Sequence, residues 1–218
     1  MGRKKIRVLL ADDHAVLREG LRTLLGQEPD IEVAGEVKDG RNAVSEAARL
    51  NPDVVVMDIG MPGLNGIDAT RRIVQETRSC RVLCLSVHRE KQLINAMLEA
   101  GASGYLLKSC VSRELVEAIR TAASGESYLS PPIAADVLQH HVRGGGSERN
   151  GAYSILTERE REVLQLIAEG HHTKIIADRL DVSSKTILAH RENIMKKLNI
   201  DSVAALTRYA LREGITNL

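Results

Sequence analysis

A chain of 218 residues with 43% apolar and 27% charged side chains can bury one large core or two modest ones, and that composition excludes a disordered polymer. It has no long uncharged run, which excludes a helical membrane protein, and the basic start Met1-Gly2-Arg3-Lys4-Lys5 leads into an apolar run that ends at Asp12, so no signal peptide is expected and the protein is expected in the cytoplasm. A formal net charge of +1, no Phe, no Trp and only four Tyr leave no aromatic platforms for stacking single-stranded bases, so any nucleic-acid binding has to place a helix in a groove.

From the N-terminus, short β-rich runs at 6–10, 31–37, 53–57, 81–85 and 104–106 alternate with helix-period stretches at 15–26, 40–50, 64–77, 91–100 and 112–123. The runs are mostly Val, Ile and Leu, as strands buried on both faces require. Residues 1–125 therefore predict an α/β domain, a doubly wound parallel sheet of five βα units. Cys80, Cys84 and Cys110 are odd in number, lack metal-type spacing and are read as small core hydrophobes.

Periodicity fails over 126–151, where Ser130-Pro131-Pro132, one helix at about 133–141 and the triplet Gly144-Gly145-Gly146 predict a linker that fixes no interdomain angle. Residues 152–218 predict a small all-α domain with helices at about 157–169, 173–180, 184–198 and 202–212. Thr157, Ser184 and Ser202 are the expected N-caps, and Thr157-Glu158-Arg159-Glu160 reads as a capping box.

The chemistry-bearing residues of the first domain fall at the carboxyl ends of its strands, where a doubly wound sheet opens its crevice. Asp12 and Asp13 follow the first strand, Asp58 the third, Ser86 the fourth and Lys108 the fifth. Three carboxylates brought together repel one another unless a cation relieves them, and an all-oxygen set suits Mg²⁺ better than Zn²⁺. Asp58, central in the group, is the expected nucleophile for an acyl phosphate, with Lys108 and the Ser86 hydroxyl on the phosphoryl oxygens.

Ala11-Asp12-Asp13-His14, Val56-Met57-Asp58-Ile59-Gly60-Met61-Pro62-Gly63 and Gly104-Tyr105-Leu106-Leu107-Lys108 resemble the flavodoxin-like receiver domain of response regulators. The resemblance implies that a sensor histidine kinase phosphorylates Asp58. It further implies that Asp12, Asp13, Asp58 and the Gly60 carbonyl hold Mg²⁺, and that Ser86 and Tyr105 form a conformational switch in which the ring turns inward.

In the third helix of the C-terminal domain, Ile187, His190, Ile194 and Leu198 share one stripe, while Lys185, Ala189, Glu192 and Lys196 face the opposite way. Lys185, Arg191, Lys196 and Lys197 against Glu192 make this helix net +3 within a nearly neutral module, a concentrated attraction for phosphates in a helix-turn-helix reading of double-stranded DNA. Leu156-Thr157-Glu158-Arg159-Glu160-Arg161-Glu162-Val163-Leu164, Ser184-Lys185-Thr186-Ile187 and Ile194-Met195-Lys196-Lys197-Leu198 resemble the LuxR-type DNA-binding domain, and both halves together resemble the NarL/FixJ response regulators.

That resemblance assigns DNA contact to Lys174, Ser184, Lys185, Thr186, Leu188, Ala189, His190, Arg191, Glu192, Lys196 and Lys197. Val203, Leu206 and Ala210 with Tyr209 form a stripe that reads as plain core or as a dimer seam, and the family pairs subunits through this helix. His172-Thr173-Lys174-Ile175 departs from the usual pattern at the scaffold helix. Leu188 and Glu192 either weaken phosphate attraction or read thymine methyls and a cytosine amino group. His171 and His172 lack further ligands at metal spacing.

Sensor kinase, DNA and a second copy of the chain are the expected partners, RNA polymerase is a further candidate, and no membrane is expected. An aspartyl-phosphate phosphatase is disfavoured because Gly60 stands where such enzymes carry an acid, so no enzyme activity is expected beyond the receiver's own phosphorylation and dephosphorylation. The alternative is a phosphorylation-independent DNA-binding regulator that uses its receiver as a dimerisation scaffold.

Overall fold

Because successive strand residues point to opposite faces, an unbroken apolar strand must be covered on both sides. In the computed structural model, which describes residues 4–77, 79–142 and 151–217, β3 (Val54–Met57) and β5 (Gly104–Leu107) are buried along their whole length, and β1 (Ile6–Ala11) and β4 (Arg81–Ser86) beyond their first residues. Leu9, Val55, Met57, Val82, Cys84 and Tyr105 pack on one face beneath α2 (Gly40–Leu50), α3 (Gly66–Glu76) and α4 (Lys91–Glu99). Val8, Leu10, Val54, Val56, Leu83 and Leu106 pack on the other beneath α1 (Ala15–Gly26) and α5 (Val111–Ala123). With β2 (Ile31–Val37) at one edge, the parallel order is β2-β1-β3-β4-β5-β6, and it reverses between β1 and β3, where the crevice opens.

The sixth strand corrects the expected five. β6 (Tyr128–Leu129) pairs with β5, and two residues are too few to show any periodicity. It lies in the segment read as linker, as does α6 (Pro131–Val142), whose Ile133 is fully buried in the receiver core. That helix starts two residues before its expected position, since proline is well placed in a first helical turn. The Gly144-Gly145-Gly146 triplet, like Met1, Gly2 and Arg3, lies outside the described residues.

The C-terminal module consists of α7 (Ala152–Ile155), α8 (Glu158–Ala168), α9 (Thr173–Arg179), α10 (Ser184–Leu198) and α11 (Val203–Arg212) around a core of Val163, Leu164, Ile176, Ile187, Ile194, Leu206 and Ala210. The Thr157–Glu160 capping box is present, and Ser202 caps α11. Ser183, not the expected Ser184, caps α10: its extended backbone lets its hydroxyl accept from the Thr186 amide at 3.1 Å, while Ser184 is already helical.

The two modules are docked, an arrangement the glycine-containing linker left open. α8 lies against α3 and the loop that leads into it. The Asp68 carboxylate receives Arg161 Nε at 3.1 Å, and both side chains are almost wholly buried. Glu162 pairs with Arg41 and Arg72, and Glu158 with Arg72. Tyr153 packs against both cores.

Candidate functional site

Asp12 directly follows β1 and Asp58 directly follows β3, and the pairing of these two strands sets the carboxylates side by side. Both are buried, whereas Asp13 and His14 reach solvent. Acceptor atoms from Asp12, Asp13, His14 and Asp58 all lie within 4.8 Å of one another. Lys108, at the start of the 3-10 turn after β5, reaches the same group, its Nζ 2.8 Å from Asp12 Oδ2 and 3.0 Å from Asp58 Oδ1. Gly66 permits the close loop, since any side chain there would collide with the Asp58 carbonyl, and its amide instead donates to the Ile59 carbonyl at 2.8 Å.

Burial raises the Asp58 pKa and the neighbouring Asp12 and Asp13 add to the rise, with Lys108 opposing it. Burial also works against the Lys108 charge, but the Asp58 and Asp12 carboxylates outweigh it and hold that ammonium above its ordinary value. This is a pocket with more negative charge than one lysine neutralises. Its hard oxygen donors at this spacing fit a small divalent cation such as Mg²⁺.

Ser86, at the end of β4, and Tyr105, in β5, meet on one residue: Ser86 Oγ accepts from the His88 amide at 3.0 Å, and the Tyr105 hydroxyl donates to the His88 carbonyl at 3.0 Å. Tyr105 is fully buried, so its ring is already inward. Burial pushes the Cys80 thiol up to about 12 and Cys84 well above its ordinary value, in keeping with core residues.

On α10, Ser184, Lys185, Leu188, Ala189, Glu192 and Lys196 are exposed, Thr186, His190 and Arg191 partly so, and Lys174 is exposed on α9. Lys197 is exposed as well, and its ammonium lies 2.7 Å from Glu160 Oε2, which ties α10 to α8. His172 begins α9 without a side-chain cap, and His171 pairs with Glu169 and Arg179. Leu206 and Ala210 are fully buried in the module's own core, so of the expected dimer stripe only Val203 and part of Tyr209 reach the surface. The sequence reading missed His14, whose Nδ1 lies 2.7 Å from Asp13 Oδ1 and whose adjacency to the acids was its only signal. It also missed Asp68 and Arg161, whose separation of 93 residues gives no local signal.

Residues 8–120 match the family model described as the response regulator receiver domain, and residues 154–210 match that of the bacterial regulatory proteins, luxR family. The chain belongs to the NarL/FixJ family of LuxR-type response regulators. This response regulator is 40% identical to the transcriptional regulatory protein LiaR of Bacillus subtilis (strain 168), with 97% of this chain and all of that protein aligned. A crystal structure of a LuxR-family two-component response regulator from Aurantimonas sp. SI85-9A1 is 38% identical, with a TM-score of 0.61 over 64% of this chain and 99% of that one. RcsB from Salmonella enterica serovar Typhimurium, bound to promoter rprA in the presence of phosphomimetic BeF3-, is 26% identical, with a TM-score of 0.62 over 94% of this chain and 98% of that one. The regulator thus joins a receiver to a LuxR-type DNA-binding module, and phosphorylation control is typical of its family.

Proposed function

We propose that phosphorylation of Asp58 by a sensor histidine kinase controls sequence-specific DNA binding by α10 and thereby transcription. The observation that carries this reading is the Lys108 ammonium bridging Asp12 and Asp58 inside a buried acidic crevice. A carboxylate oxygen of Asp58 attacks the phosphorus of a phosphohistidine, forming an O–P bond while the N–P bond breaks and the imidazole leaves to take a proton from solvent. Asp12, Asp13, Asp58 and the Gly60 carbonyl would hold Mg²⁺, which supplies positive charge to the transferring phosphoryl oxygens. Lys108 moves from carboxylate to phosphoryl oxygen, the Ser86 hydroxyl donates to another, and the inward Tyr105 packs behind it. The receiver promotes only its own phosphorylation and dephosphorylation.

In the DNA complex, α10 lies in the major groove, with Lys174, Lys185, Arg191 and Lys196 serving phosphates and Leu188, Ala189 and Glu192 facing bases. Ser184, Thr186 and His190 add polar contacts at the groove edge. A pair of copies meeting along the Val203 and Tyr209 edge occupies paired half-sites, RNA polymerase is the downstream partner, and the regulator acts in the cytoplasm. Intact mass after incubation with acetyl phosphate and Mg²⁺ tests the first step. One phosphoryl group is expected on the protein and none on Asp58→Asn, with DNA affinity rising only in the labelled protein.

The exposed outward face of α10 in the docked arrangement supports a second reading, a DNA binder indifferent to phosphate that uses its receiver as a dimerisation scaffold. Equal DNA affinity with and without the phosphodonor would select it.

A further inference from the structure

Where α8 hands over to α9, Gly170 turns the chain at φ +83°, and the turn borders a cavity of about 240 Å³ shared with α10 and the first residue of α11. Its apolar floor is Ile167, Ile176 and Ile187, all buried, and its mouth is framed by Leu188 and Val203, which are 41% and 43% exposed. The side chains of His171, His172, Thr173 and Arg191 supply the polar lining, which contains no acid. Glu169, the acid that precedes the turn, is engaged by the Gly63 amide at 2.8 Å and by His171 at 3.5 Å. Arg191 Nε, in contrast, is shut off from water and has no hydrogen-bond partner among the described residues. A buried guanidinium N–H can only donate, so it is satisfied only where an acceptor reaches it.

We infer that this cavity is a binding site for a small organic anion, an apolar body that rests on Ile167, Ile176 and Ile187 and carries one carboxylate to Arg191. An apolar lining with a few convergent polar groups is the build of a small-molecule site, and a volume just under the usual lower bound suits a ligand of ~10 non-hydrogen atoms. The sign of the charge follows from the lining: a cation would face Arg191 with no acid beside it, and a wholly apolar molecule would bury Nε without an acceptor. The site also touches the face of α10 assigned to DNA, since Arg191 is read as serving a phosphate and Leu188 as facing a base. A carboxylate on Arg191 takes that guanidinium from the phosphate, so anion and DNA oppose each other, and the opposition is reciprocal by linkage. That consequence rests on the reading of α10 as recognition helix, whereas binding of the anion does not.

The experiment uses the full chain. Titration calorimetry and backbone amide shifts are recorded with benzoate, with its neutral counterpart benzamide and with inorganic phosphate, for the wild type, Arg191→Gln and Val203→Glu. Benzoate is expected to shift the amides of 167–173, 187–191 and 203 saturably. Benzamide and phosphate should each bind roughly tenfold or more weakly, one for want of the charge and the other for want of the apolar body. Arg191→Gln should erase the preference for benzoate over benzamide. Val203→Glu, which sets a like charge at the mouth on an exposed first helical position, should weaken benzoate and leave the fold intact. No saturable shift at these amides, equal binding of benzoate and benzamide, equal binding of benzoate and phosphate, or wild-type benzoate affinity in Arg191→Gln would each overturn the site. A random-sequence duplex at low salt is expected to raise the benzoate Kd roughly fivefold or more, the lower end of ordinary coupling between sites. An unchanged Kd with the duplex bound overturns the competition, and a duplex that does not bind counts against the recognition-helix reading alone.

Discussion

The crevice and the recognition helix are both charged, but they are built in opposite ways. In the crevice, Asp12, Asp58 and Lys108 are removed from water by the sheet and its loops, and burial raises the Asp58 pKa while the facing carboxylates hold that of Lys108 above its ordinary value. On α10, Lys185 and Lys196 stand in solvent on a helix whose inner face, Ile187 and Ile194, is buried. Charges in the first region act individually, so losing one is decisive. Charges in the second act as a sum that salt screens, so losing one is a graded effect.

The sharpest break in that comparison is Asp58→Asn, expected to abolish phosphoryl incorporation by intact mass while the fold survives; label retained elsewhere would displace Asp58 from its role. Next in size is Asp68→Ala, which leaves the Arg161 guanidinium buried without its partner and costs the docked form ~3–5 kcal/mol. That is enough to separate the modules, read as a larger radius of gyration in small-angle scattering. An unchanged radius would show that other contacts hold the interface.

A smaller effect is expected on DNA, where Lys185→Ala and Lys196→Ala each reduce the salt slope of binding by about 1. Lys197→Ala should leave that slope nearly unchanged, because its ammonium is committed to Glu160. The smallest effect belongs to Glu160→Gln. Burial works against the Glu160 charge, but Lys197 and the Thr157 cap outweigh it and hold the pKa below its ordinary 4.5. Its contribution, about 1 kcal/mol as for a typical cap, is therefore present above that value and lost as pH falls through the lowered one. The melting-temperature gap between variant and wild type should close on acidification; a gap that widens would contradict the sign.

The acidic group was legible because a parallel sheet sends every strand's carboxyl end to one edge, so residues scattered between Asp12 and Lys108 could be assembled without coordinates. The helix boundaries of α1 and α2 were legible in the same way from their apolar period. Tyr128 and Leu129 were not, since a two-residue strand carries no pattern and exists only because β5 offers it an edge. The Ser183 cap was missed by one position because Ser183 and Ser184 are chemically equal, and backbone angle alone decides which hydroxyl turns back.

The sequence by itself determined the two modules, the gathering of acids at the strand ends and the basic residues of α10, because each follows from a local period or from a rule about strand ends. Tertiary structure decided that Arg161 meets Asp68, that Gln165 holds the loop beyond Asp58, and that Lys197 pairs with Glu160. Those pairings join residues far apart in the chain, and their strength comes from exclusion of water, which exists only once two surfaces have closed on each other.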